Sequence, residues 1–233
     1  MDKFRFKILC GAVTVLLLAG ACYMGREVTA NVMGKKVADE KSPCVVVDAG
    51  HGGIDSGKVG INGALEKDIN LKIAEALKKY LEAEGIRVVM TRESDDGLYD
   101  ANASNKKVQD MKRRIELIDK EKPVITVSIH QNSYPEEYVH GAQVFFYSGS
   151  TQGQRLAEVI QAQLIDKADP ENKRQVKAND SYYLLKKTGI PIVIVECGFL
   201  SNSAEAEKLC DEDYQERVAW AVHMGVMQYL NSK

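Results

Sequence analysis

Five short stretches rich in valine and isoleucine constrain this chain more than any other feature. They are "CVVVD" (44–48), "IRVVMTR" (86–92), "PVITVSIH" (123–130), "GAQVFFYS" (141–148) and "IPIVIVECGF" (190–199). A strand that is apolar on both faces must be covered on both faces, which is the condition of a parallel sheet with helices on either side. The intervening sequence supplies the helices. In "EKDINLKIAEALKKYLEAEG", Ile69, Ile73, Leu77 and Leu81 recur at i, i+4, i+8 and i+12 before Gly85, an amphipathic helix with a glycine stop. "SNKKVQDMKRRIELIDKE", "GQRLAEVIQAQLIDKA", "SAEAEKL" and "DYQERVAWAVHMGVMQYL" read as further helices, with a polar loop over 93–103 and a polar connection, "DPENKRQVKANDS", before the short piece "YYLLKK". The expected fold class is α/β, a three-layer α/β/α sandwich around a mostly parallel, twisted sheet.

The first 26 residues are of another kind. Lys3, Arg5 and Lys7 precede an uncharged 18-residue run from Ile8 to Gly25, which Arg26 closes. A basic start followed by an apolar run and small residues is a membrane-targeting signal. Retained anchor, cleaved signal after Ala19-Gly20-Ala21 and lipid attachment at Cys22 all stay open. In each case positive charge before the run places the body of the protein outside the cytoplasm. Residues 27–41 are polar and aperiodic, a tether, so the expected organisation is targeting segment 1–26, linker 27–41 and one catalytic domain over 42–233. Residues 41–233 carry 25 Lys and Arg (31 minus 6) against 29 Asp and Glu (33 minus 4), and this acidic balance argues against a nucleic-acid partner. Cys44, Cys197 and Cys210 form an odd set without metal or redox spacing and are expected to be buried thiols.

Chemistry in an open parallel sheet gathers beyond the carboxyl ends of the strands. His51 follows the first strand inside "AGHGG", Glu66 opens the first helix, His130 ends "VITVSIH" and Glu196 ends "IVIVE". Two imidazoles and a carboxylate suit a catalytic zinc, which keeps its fourth position open. The glycines around His51 permit a sharp backbone turn and close approach. Glu196 is the most telling of the four, because a carboxylate closing a buried strand costs on the order of several kcal/mol unless a partner or cation meets it. His140, in a loop, and His223, on the apolar last helix, read as ordinary structural residues. A nucleophile elbow G-x-S-x-G and the zincin motif H-E-x-x-H are both absent from the sequence.

The blocks "VVVDAGHGGIDSGKVG", "LEKDINLKIAEALKKYLEAEGIRVVMTR", "VSIHQNS" and "VECGFLSN" resemble, in order and spacing, those of the zinc-dependent N-acetylmuramoyl-L-alanine amidases of bacterial cell walls. The resemblance covers roughly residues 44–231. It implies a sheet of about six strands, one zinc ion per chain held by His51, Glu66 and His130, and Glu196 as the catalytic glutamate. Arg92 and Asn132 are the expected substrate contacts. It further implies peptidoglycan as the partner, cut at the amide between the lactyl group of muramic acid and L-alanine; whether an activating protein partner also acts on the enzyme stays open. The layout, a membrane segment leading straight into the catalytic block, resembles the spore-cortex branch of that family, so cortex maturation through muramic lactam is the expected role and the forespore envelope the expected location. The segment 147–181 has room for one helix and a connection, without the inserted helix by which some relatives occlude their own site. Two alternatives remain at this point: a zinc carboxypeptidase, for which Arg92 and Arg114 would supply a cationic pocket, and a non-catalytic receptor for wall peptides, which would have no use for Glu196.

Overall fold

Alternation along each strand decides which side of the sheet a residue faces. In the computed structural model, which describes residues 42–232, six strands form one sheet in the order β2-β1-β3-β6-β4-β5. They are β1 (Cys44–Ala49), β2 (Arg87–Met90), β3 (Ile125–Asn132), β4 (Gln143–Phe146), β5 (Lys177–Ala178) and β6 (Ile192–Phe199). All neighbouring pairs are parallel except β4 with β6. The targeting segment and linker expected over 1–41 lie outside the described residues, and no helix among the described residues is long and apolar enough to cross a membrane.

Val45, Val47, Ile125, Val127, Ile129, Val193 and Val195 point to one face. There they meet α1 (Glu66–Ala83), α3 (Thr151–Gln163), α5 (Ser203–Cys210) and α6 (Glu212–Asn231), which form the larger core. Val46, Phe145, Ile192 and Ile194 point the other way, into a smaller core under α2 (Lys106–Glu121) and α4 (Tyr183–Lys187). On that face β1 and β3 also carry Asp48, Thr126 and Ser128, all buried. The smaller face is therefore where polar chemistry enters the interior.

Local signals explain the helix ends. Gly85 takes φ +79°, and the Ile86 amide returns to the Leu81 carbonyl at 3.2 Å, closing α1 as its glycine stop predicts. Asn105, Ser150, Asn202 and Asp211 accept amide hydrogen bonds at the starts of α2, α3, α5 and α6. Three details differ from the sequence reading. The helix expected to 168 turns π-helical over Leu164–Ala168. The polar connection contains β5, which two residues in a polar run cannot announce. Cys210 is exposed, whereas Cys44 and Cys197 are buried.

Candidate active site

The strands β1, β3 and β6 run parallel, so their carboxyl ends open on the same edge. β3 continues two residues past its expected end at His130, and β6 ends at Phe199, as the stretch "IPIVIVECGF" predicts. His130 pairs with Glu196, and beyond it the register shifts, so that Asn132 faces Phe199. An extra residue on one strand re-aims its side chains, a device common beside active sites.

His51 sits in the loop after β1 with φ +63°, an uncommon conformation for a residue other than glycine, Asn or Asp. The loop is pinned by two backbone hydrogen bonds between Gly52 and Asp55, at 3.0 and 3.1 Å. Glu66 is the first residue of α1 and is almost fully buried. Its Oε1 lies 3.2 Å from His51 Nε2 and 3.0 Å from His130 Nδ1, and it accepts the Gln131 amide at 3.0 Å. Its Oε2 accepts the Lys58 amide at 2.7 Å. The donor atoms of His51, Glu66 and His130 all lie within 4.8 Å of one another, a spacing that a single metal ion could bridge. Two imidazole nitrogens converging on one carboxylate oxygen are a donor set of the kind zinc takes. The far nitrogen of His51, Nδ1, meets Asp55 Oδ2 at 2.9 Å, and Asp55 in turn pairs with Lys107 at 2.7 Å. Such a carboxylate behind an imidazole fixes the ring's orientation and tautomer.

The glycines of the loop do more than turn the chain. A Cβ on Gly50 would overlap the His130 ring, and one on Gly57 would come within 2.5 Å of Glu66 Oε2 and 2.7 Å of His51 Cδ2. Glycine here is the space in which the three candidate ligands pack.

Glu196 is buried on the smaller-core face, one oxygen bonded and the other not. Oε1 accepts the Tyr182 hydroxyl at 3.1 Å, while Oε2 has no partner. The environments of the two acids differ. Burial works against the charge of Glu66, but hydrogen bonds and charge from His130 and His51 outweigh it and hold the carboxyl well below its usual range. Burial pushes Glu196 up, with the neighbouring Glu66 charge adding to it against the pull of His130 and Tyr182. On His51, burial is likewise outweighed by Glu66 and Asp55, and its pKa is pushed up to about 8. Glu66 is thus held as a carboxylate by the two histidines, and Glu196 has no such partner on its second oxygen.

A cavity of about 480 Å³ joins these groups, with His51, His130, Glu196 and Tyr182 at one end and Val108, Met111 and Leu184 along its apolar wall. Arg92 and Asn132, the expected substrate contacts, are not among its lining residues. Arg92 is buried, and its guanidinium donates to the carbonyls of Ala49, Gly50, Lys67 and Ser94. Arg114 reaches the cavity, but it is also spent: on Asp48 at 2.5 Å, on Asp110 at 2.6 Å, and on the carbonyls of Ala49 and His51. The two arginines satisfy the last carbonyls of β1 and the first of the loop, which the sheet cannot. They brace the site, and the cationic pocket of a carboxypeptidase is not made by them.

Sequence reading missed Asp48, Asp55 and Tyr182. Asp48 closes "VVVD" as Glu196 closes "IVIVE", so the same cost argument could have found it. Asp55 stands four residues after His51 in a plain loop motif, a weak signal. Tyr182 opens the short apolar piece "YYLLKK" directly after the polar connection, a setting that gave no sign of a role in the site. His140 is exposed, and His223 is buried against Tyr80 and Trp220, both away from the cavity lining.

The chain is 36% identical over 193 residues to the germination-specific N-acetylmuramoyl-L-alanine amidase of Bacillus subtilis (strain 168), covering 81% of this chain and 80% of that protein. It superposes with a TM-score of 0.80 on the CwlD amidase of Clostridioides difficile, solved in complex with the GerS lipoprotein, at 39% identity over 82% of this chain and 100% of that one. The catalytic domain of CwlV, an N-acetylmuramoyl-L-alanine amidase of Bacillus (Paenibacillus) polymyxa, gives 0.70 at 31% identity, covering 82% and 99%. With residues 45–228 matched by the family model described as N-acetylmuramoyl-L-alanine amidase, the chain belongs to that family.

Proposed function

We propose that this protein is a zinc-dependent enzyme that hydrolyses the amide between the lactyl group of N-acetylmuramic acid and the L-alanine of the stem peptide in peptidoglycan. The observation that carries the reading is a convergence: the donor atoms of His51, Glu66 and His130 lie within 4.8 Å of one another, and both histidines line the same cavity as Glu196, whose second oxygen is buried without a partner. The three candidate ligands fit zinc by donor type and by the carboxylate behind His51. A zinc ion held by His51, Glu66 and His130 would supply Lewis acidity for the amide carbonyl and for the attacking water. Glu196 is the base: its Oε2 takes a proton from the attacking water and gives it to the leaving nitrogen of L-alanine. The water oxygen becomes part of a lactyl carboxylate, the carbon–nitrogen bond breaks, and the stem peptide leaves with a free amine. Raised by burial, Glu196 is suited to holding that proton between the two transfers.

The setting is proposed on likeness and on the leading sequence. A germination-specific relative and the apolar run at 8–25 support an extracytoplasmic enzyme acting on spore cortex, where freeing the lactyl carboxylate precedes lactam closure. The C. difficile relative in complex with a lipoprotein supports a protein partner for this chain.

Metal analysis and product analysis test the reading. The purified protein should hold about one zinc, and His51→Ala or His130→Ala should lose it. Glu196→Gln should keep the metal while turnover falls by about 10² or more. Mass spectrometry of digested peptidoglycan should find unsubstituted lactyl carboxylates and stems beginning with free L-alanine. Glycans that keep L-alanine while stems lose their terminal residue would sink the amidase reading and leave the metal site standing.

A further inference from the structure

The sequence gives the polar connection and the piece "YYLLKK" between α3 and β6 no task of their own. In the structure they reach into the site. Asn179 is fixed to the sheet by its amide, which donates to the Phe146 carbonyl at the end of β4 at 2.8 Å. Its side-chain Oδ1 then accepts three hydrogen bonds, from the Ser181 amide at 2.8 Å, the Ser181 hydroxyl at 2.8 Å and the Tyr182 amide at 2.9 Å. Tyr182 thereby starts α4 with its ring edge-on to Phe145, centroids 5.6 Å apart, and its hydroxyl on Glu196 Oε1. Phe145 and Glu196 belong to adjacent antiparallel strands, so Tyr182 spans the two.

We infer that Tyr182 is the positioning residue of the general base, and that Asn179 sets Tyr182 in place. The inference rests on Glu196 as that base. A carboxylate has two oxygens, and a free one could turn either toward the reacting water or away from it. With Oε1 held by the phenol, the carboxylate plane is fixed and only Oε2 is left to accept a proton. That oxygen is buried with no partner, which is what a single poised acceptor requires. Holding a reacting group in its productive geometry is worth a substantial share of a rate. The chain of contacts from Phe146 through Asn179 and Tyr182 to Glu196 uses backbone and side-chain hydrogen bonds from a rigid sheet, and sites held this way are more exact than sites on free loops.

Kinetics of purified full-length variants on peptidoglycan test this. Tyr182→Phe removes one oxygen and keeps the ring against Phe145. It should lower kcat about tenfold with KM, zinc content and melting temperature unchanged. Because Tyr182 acts through Glu196, adding Tyr182→Phe to Glu196→Gln should cost nothing more. Asn179→Ala should lower kcat in the same way, and Asn179→Asp, which keeps an acceptor oxygen, should restore most of it. A rise in KM with kcat kept would make Tyr182 a substrate contact, and an additive loss in the double variant would give it a role apart from Glu196; either overturns the inference. So would a loss of zinc or melting temperature that tracks the loss of rate. An inactive Glu196→Gln beside a fully active Tyr182→Phe would defeat this inference alone, whereas an active Glu196→Gln would defeat the base assignment on which it stands.

Discussion

At the scale of single residues, the candidate site was legible where residue chemistry conflicts with its surroundings. A carboxylate at the end of "IPIVIV" and histidines at strand ends stand out against an apolar background, and the structure brings Glu196, His51 and His130 into one cavity. Residues whose role depends on a fold-level neighbour were not legible. Arg92 looked free to bind substrate because nothing in sequence shows four carbonyls around its guanidinium. Gly50 looked like a turn residue, yet it is the floor under His130. A direct test of that packing is therefore Gly50→Ala. The added methyl must push the His130 ring away from Glu66, so zinc occupancy should fall markedly while the far-ultraviolet circular dichroism stays native. Full zinc content in that variant would show that the ring has room to move.

At the scale of elements, strands and long helices were read within a few residues because short runs apolar on both faces mark buried strands and a 3.6-residue period marks amphipathic helices. A boundary moved where tertiary pairing extended an element, as at the end of β3, where Asn132 pairs with Phe199. Elements without a pattern of their own, such as β5 and the π-helical turn, exist because neighbours hold them. The α3–α6 contact shows how tight those neighbours are. A Cβ on Gly225 in α6 would stand 2.6 Å from the Ile160 Cα and 3.0 Å from its nitrogen. Alanine in a helix interior normally gains up to about 1 kcal/mol over glycine. Here backbone meets backbone, so Gly225→Ala should instead destabilise by about 1–3 kcal/mol through overpacking, read as a lower denaturant midpoint. A raised midpoint would mean that the helices separate freely.

At the scale of the whole molecule, the buried Asp48–Arg114 pair ties β1 to α2, while Ser128 Oγ donates to Asp48 from β3. Burial opposes the charge on Asp48, yet Arg114 and Ser128 prevail and bring its pKa from 3.8 down to about 2. A depressed folded-state value means stability that is fully present above pH 4 and lost as pH falls toward 2. The difference is worth about 2 kcal/mol. Acid titration followed by fluorescence should show this step, and Asp48→Asn should flatten it while lowering stability at neutral pH, because buried Arg114 then keeps only Asp110 as a carboxylate partner. An unchanged acid profile in that variant would remove the pair from the account. The sheet order has a consequence in time. β6 lies between β3 and β4, both synthesised before it, so until Ile192 has emerged the sheet is two unjoined pieces. At roughly 5–20 residues per second, the ribosome takes about 3 to 12 s to travel from Asn132 to Ile192. The same strand brings Glu196, so the keystone of the architecture and the proposed base arrive together. A chain whose business is cutting the wall is thus inert throughout its own making, and any product released early is inert for good.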